Sequence, residues 1–159
     1  MIPTPAKVFA VFKRHYQLIP LEVYGRDPYK TLVSTLLSSR TRDETTFTVC
    51  ERLFKRVKNF RQLEQLLAPR SPAERDEVGE IRHPLYPVGF YRTKAEHLKL
   101  LAKKIISEFD GKVPNTLGDL VSLPGVGRKT ANIVLARAFK IPAIGVDTHV
   151  HRIANALGW

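Results

Sequence analysis

Leu123-Pro124-Gly125-Val126-Gly127-Arg128-Lys129-Thr130-Ala131 is the stretch on which the reading of this chain turns. Two glycines flank one apolar residue, a proline precedes them, and a run with helical character follows. Glycine permits positive φ and carries no side chain, so its backbone can lie close to another surface. The helix that follows presents free N–H groups at the positive end of its dipole, which attracts phosphate. Arg128 and Lys129 add charge at the same point. Physically the stretch suits a clamp that grips a phosphate backbone without reading sequence. A plain tight turn between two helices would contain the same bare Gly-x-Gly.

Working outward, both flanks read as helices with short breaks, and no period-two strand stands out. After the hairpin comes a helix over Arg128–Phe139, a stop at Pro142, and a last helix over Thr148–Leu157 capped by Asp147. Before it lies a short helix over Thr116–Ser122, capped by Asn115 or Thr116. Thr93-x-x-Glu96 reads as a capping box opening a longer helix, with Leu98, Leu101, Ala102, Ile105 and Phe109 inward and Gly111 closing it. Four prolines break residues 68–91, where one short helix is expected near Ala73–Ile81. Asn59 caps a helix over Phe60–Leu67. Asp43 is expected to cap a helix whose inner face is Phe47, Cys50, Phe54 and Val57. Asp27-Pro28 starts another, with Leu32, Val33, Leu36 and Leu37 buried. Ala6–Gln17 is a first helix with Val8, Phe9, Val11, Phe12 and Tyr16 on a broad apolar face.

Composition narrows the partner. Lys plus Arg number 26 against 15 Asp plus Glu, a net charge of +11, in a 159-residue chain that is 43% hydrophobic. That excess favours a polyanion, nucleic acid or an acidic membrane surface. No apolar run approaches the ~20 residues that span a bilayer. The single cysteine, Cys50, cannot form an internal disulfide. No leader is visible, so the expectation is a soluble intracellular protein of the cytoplasm and nucleoid, or the nucleus in a eukaryote.

The hairpin, with Leu-Pro before it and Arg-Lys-Thr-Ala after, resembles that of the helix-hairpin-helix DNA glycosylases, the endonuclease III-like branch in particular. Val146-Asp-Thr-His-Val-His-Arg152 resembles the family segment that carries a catalytic aspartate. Leu36-Leu-Ser38 with Asp43 is similar to its early loop, and Val88-Gly-Phe-Tyr-Arg-Thr-Lys-Ala95 to its middle turn and helix. The likeness runs from about Asp27 to Trp159.

That resemblance implies an all-α, six-helix domain over residues 27–146 with the hairpin at 123–129. Residues 1–26 would be the N-terminal helix of an incomplete second lobe, and 147–159 the start of the C-terminal lobe. It implies base-excision repair: Lys129 attacks C1′ of a flipped nucleotide, expels the base and forms a Schiff base, and β-elimination then nicks the strand. Asp147 would stabilise positive charge on the sugar and assist deprotonation. Relatives that only remove the base usually lack the lysine, so Lys129 favours the bifunctional reaction on oxidised pyrimidines or abasic sites.

Leu123, Pro124, Gly125, Val126, Gly127, Arg128 and Thr130 would bind DNA. Arg40 would enter the duplex from its loop, where bacterial endonuclease III typically has glutamine. Ser38, Ser39 and His149 would line the pocket; read from the residues alone, His149 and His151 are surface or packing residues sooner than pocket residues, and Arg40 is as readily an exposed loop charge as a DNA contact. The family's [4Fe–4S] cluster needs four cysteines, so none is expected from this chain, only from a longer form. Duplex DNA with a damaged base or abasic site is the implied partner, and self-association through the exposed first helix is expected. The reading from another class is a non-catalytic helix-hairpin-helix module or an inactive fragment.

Overall fold

The computed structural model describes residues 3–15, 20–68 and 83–159. Helices and a 3₁₀ turn are the only regular elements among them. In chain order these are α1 (Pro5–His15), the 3₁₀ turn Pro20–Tyr24, α2 (Pro28–Ser38), α3 (Asp43–Arg56), α4 (Phe60–Leu67), α5 (Tyr91–Glu108), α6 (Leu117–Val121), α7 (Arg128–Ala138) and α8 (Thr148–Ala156). The short helix expected near Ala73–Ile81, and the end of the first helix at Gln17, lie outside the described residues.

Local signals place most of the starts. Asp27 accepts a hydrogen bond from the Lys30 N–H, with Pro28 in the first turn of α2. Asn59 accepts from the Gln62 N–H, and Gln62 Oε1 in return accepts from the Lys58 N–H, closing α4 at both levels. Thr116 caps α6 and Asp147 caps α8. Such caps satisfy N–H groups that a helix leaves without partners.

Two starts differ from the expectation. Arg42, not Asp43, is the N-cap of α3; its carbonyl accepts from both the Thr46 N–H and the Thr46 hydroxyl. Asp43 falls one residue inside, where its charge still complements the dipole. Helix α5 begins at Tyr91, ahead of the Thr93–Glu96 pair. The chain leaves a set of tight turns at Leu85–Val88, and Phe90, in the left-handed region at φ 56°, turns it directly into the helix. Glu96 instead meets Lys99 along the helix.

Helix α2 is the centre of the packing: it contacts α3, α5, α7 and the 3₁₀ turn, while α4 lies along α5 and α6 along α7. Leu32, Val33 and Leu37 of α2, Leu98, Leu101 and Ile105 of α5, and Val134 of α7 are fully buried together. Tyr24, Tyr29, Phe54 and Phe60 form an edge-to-face cluster at one end, Tyr29 and Phe60 with ring centres 4.8 Å apart. By contrast α1 and α8 bury no residue. Phe9 and Phe12 are more than half exposed, and Phe9 reaches Trp159, whose indole N–H donates to the Pro3 carbonyl at 3.2 Å. No helix among the described residues is long and apolar enough to cross a membrane.

Candidate active site

The hairpin between α6 and α7 owes its shape to both polar and apolar residues. The Val126 N–H donates to the Leu123 carbonyl at 3.1 Å, and Gly125 sits at φ +76°. Proline second and a positive-φ glycine third make a type II turn. A Cβ on Gly125 would also meet the His97 ring at 2.9 Å. Gly127 needs no such freedom: its φ is −90°, and a Cβ there would meet nothing within 4 Å. Leu123 and Val126 point into the core, so they anchor the turn and can meet a partner only through their backbone. Pro124 and Thr130 are half-buried, while Gly125, Gly127, Arg128 and Lys129 are exposed. Gly127 has no side chain to cap α7, so the first turn of that helix presents its N–H groups outward.

Lys129 and Asp147, 18 residues apart in sequence, meet across the loop that joins α7 to α8. Lys129 Nζ donates to Asp147 Oδ2 at 3.0 Å. The other carboxylate oxygen accepts from the Val150 N–H at 2.9 Å. Those two bonds, the Val150 one first and the Lys129 one next, hold the Asp147 carboxyl well below the usual range, at about 2. The joining loop is held against α7 by Asn132, whose side-chain amide donates to the Ile144 carbonyl. Gly145 is needed there because a Cβ would lie 2.6 Å from Ile133 Cγ1.

This pair opens into a cleft of about 680 Å³ between α2, α7 and that loop. The volume is within the range of small-molecule sites. Thr31, Thr35 and Ser38 of α2 line it at helical spacing, opposite Lys129, Ile133 and Arg137 of α7. Glu22 pairs with Arg137 at 2.6 Å on the same wall, and Asp43 is at its edge. None of Thr35, Glu22 or Arg137 was singled out in the sequence. The i, i+4, i+7 spacing of Thr31, Thr35 and Ser38 along α2 was the signal available.

The remaining sequence-marked residues are elsewhere. Ser39 and Arg40 line a separate hollow with Phe90, Lys94, His97 and Gly125. The His149 side chain is exposed and not on the cleft; its backbone N–H is what faces Asp147. Arg40 lies at φ 52°, in the left-handed region one residue past the α2 C-cap, where glycine is usual and another residue costs about 1 kcal/mol. Its guanidinium is 5.6 Å from the centre of the Phe90 ring, and that ring is 63% exposed. Beneath them Lys94, only 6% exposed, donates from Nζ to the Leu37 and Ser39 carbonyls and to Thr41 Oγ1. Burial pulls its ammonium below the ordinary lysine range.

No group of three or more His, Cys, Asp or Glu side chains among the described residues is arranged to hold a metal. Cys50 is buried in the core, where desolvation pushes its thiol up to about 12. A lone buried thiol does not fit the four-thiolate set of an iron–sulfur cluster.

The model of the HhH-GPD superfamily base excision DNA repair proteins matches residues 33–159. Endonuclease III of Thermotoga maritima is 44% identical over 133 residues, which cover 84% of this chain and 58% of that protein. A solved structure of a trapped endonuclease III–DNA covalent intermediate superposes with a TM-score of 0.77 at 31% identity, covering 96% of this chain and 65% of that one. A thermostable thymine-DNA glycosylase gives 0.78 at 25% identity, covering 94% and 64%. The chain thus spans less than two thirds of each of these relatives. With its hairpin, its lysine–aspartate pair and its all-helical core, the chain belongs to the endonuclease III-like branch of the HhH-GPD superfamily of base excision DNA repair proteins.

Proposed function

We propose that this chain is a DNA glycosylase with AP-lyase activity, acting on oxidised pyrimidines or abasic sites in duplex DNA. The observation that carries the reading is the Lys129–Asp147 pair at 3.0 Å, at the mouth of a cleft beside an uncapped helix N-terminus. A backbone clamp alone needs neither a lysine paired with a carboxylate nor a cleft behind it. The covalent DNA complex solved for endonuclease III adds support, since its fold covers nearly all of this chain.

In this reading the exposed glycine backbone and Arg128 hold the phosphates, and the flipped nucleotide enters the cleft. Lys129, an ammonium in the resting pair, first gives up a proton to water, and the neutral amine then bonds to C1′. The C1′–base bond breaks and the base leaves with a proton. Ring opening gives the Schiff base; loss of a C2′ proton then expels the 3′ phosphate. In the resting site Asp147 is held as the carboxylate by the Val150 N–H and the Lys129 ammonium. Its main contribution is therefore a fixed negative charge beside the cationic sugar. Arg40 with Phe90, an exposed cation and ring on one edge, would enter the gap that the flipped base leaves.

Borohydride trapping on a duplex with one abasic site tests this. Wild type should form a covalent adduct and Lys129→Ala none, with much of the DNA affinity retained. Equal trapping by both would remove Lys129 as nucleophile. No adduct from wild type, with salt-dependent binding intact, would point to a clamp or to a fragment without the parts that catalysis needs.

A further inference from the structure

Lys94 has three ammonium donors and exactly as many acceptors around it: the Leu37 carbonyl, the Ser39 carbonyl and Thr41 Oγ1. All three belong to the end of α2 and the loop after it, more than fifty positions away in sequence. The carbonyls are among those a helix C-terminus leaves without partners, and a cation there also suits the negative end of the dipole. Thr41 Oγ1 accepts as well from the Gly89 N–H at 3.1 Å. A Cβ on Gly89 would lie 2.5 Å from the Arg40 carbonyl, so the turn before α5 presses directly on the arginine's backbone. Lys94 is itself one turn into α5 from Phe90: its N–H donates to the Phe90 carbonyl at 3.0 Å. One buried ammonium thus joins the two segments that carry Arg40 and Phe90.

We propose that Lys94 is a positioning residue that holds the Ser38–Thr41 loop, and with it Arg40, in the posture from which the arginine engages DNA at a lesion. The proposal rests on the reading that Arg40 enters the duplex. A loop residue kept in the left-handed region with no glycine needs outside contacts to stay there. A pre-set loop spares DNA binding the entropy of ordering it. Lys94 does not line the cleft that holds Lys129 and Asp147, and of the segment it holds only Ser38 reaches that cleft, so its effect falls on lesion engagement before bond breaking.

The experiment measures affinity of the full chain for two duplexes, one intact and one with a single tetrahydrofuran abasic analogue that cannot be cleaved. Lys94→Met should weaken binding to the abasic duplex about tenfold, the scale of losing hydrogen bonds to a charged group. Its affinity for the intact duplex, held by the hairpin, should stay within about twofold. Arg40→Ala should show a loss of similar selectivity, and adding Lys94→Met to it should cost nothing more, since the lysine acts through the arginine. Thr41→Ala keeps the lysine but removes its third acceptor; it should move the same ratio less and also be silent beside Arg40→Ala. If Lys94→Met does not fold by circular dichroism, the Thr41→Ala pair decides in its place. Equal weakening on both duplexes, or additive losses in the Arg40→Ala background, would overturn the Lys94 assignment while leaving the loop's role standing. An Arg40→Ala chain with wild-type selectivity would remove the loop reading itself, and the proposal with it.

Discussion

Asp147 uses both oxygens: one receives the Val150 N–H and the other the Lys129 ammonium. Its depressed pKa sets the sign of its pH dependence. The stabilising contribution is complete above the ordinary carboxylate value near ~3.9 and is lost as pH falls through about 2. A ¹³C titration of the Asp147 carboxyl should give a midpoint near that value. In Lys129→Ala the midpoint should rise only part of the way, because the Val150 bond remains; a return to the ordinary value would mean that Lys129 alone holds the carboxyl down. The hairpin glycines separate just as cleanly. Gly125→Ala should destabilise the fold by about 1–3 kcal/mol, from positive φ and the His97 ring together. Gly127→Ala should leave stability within about 0.5 kcal/mol and weaken binding to all DNA sequences alike. Denaturant melts beside binding to several duplexes would read both. Lys129 and Asp147 were legible from the motif because each lies in a short, distinctive string. Lys94 was not, since a lysine in a helix looks solvated until the loop it holds is placed against it.

Helix starts at Asp27, Asn59 and Asp147, and the one at Thr116 to within a residue, could be read from local sequence because each is decided by a side chain bonding three residues ahead. The start of α5 could not. Its left-handed Phe90 follows from the turn before it and from the Gly89–Thr41 bond, neither of which the Thr93–Glu96 pattern encodes. The cleft is likewise a property of paired elements: hydroxyls of α2 face α7 only once the apolar faces of both have packed. The loop from α7 to α8 is where one methyl group should matter most. Gly145→Ala would force the loop away from Ile133 and shift Asp147 relative to Lys129. Trapping on the abasic duplex should slow about tenfold or more with affinity for intact DNA unchanged. An unchanged trapping rate would mean that Ile133 yields and the pair keeps its geometry.

At the scale of the molecule, the all-helical architecture and the weakly attached first helix were both legible: the former from the spacing of apolar residues, the latter from the family resemblance, which sets residues 1–26 in a second lobe apart from the six-helix core. What the net charge of +11 could not convey is its disposition, with Arg40, Arg128 and Lys129 exposed along the hairpin and the loop after α2. The two ends of the chain also meet, through the indole of Trp159, Phe9 and the Pro3 carbonyl. Trp159 is the only tryptophan in the sequence, which makes that junction an optical gauge. An indole moving from this junction into water should shift its emission to longer wavelength. Since α1 and α8 bury no residue, the shift should come at lower denaturant than the loss of helical ellipticity from the core. Two coincident curves would show the ends melting with the core as one unit; two separate ones would give a colour signal for the state of the chain's outer rim, free of any label.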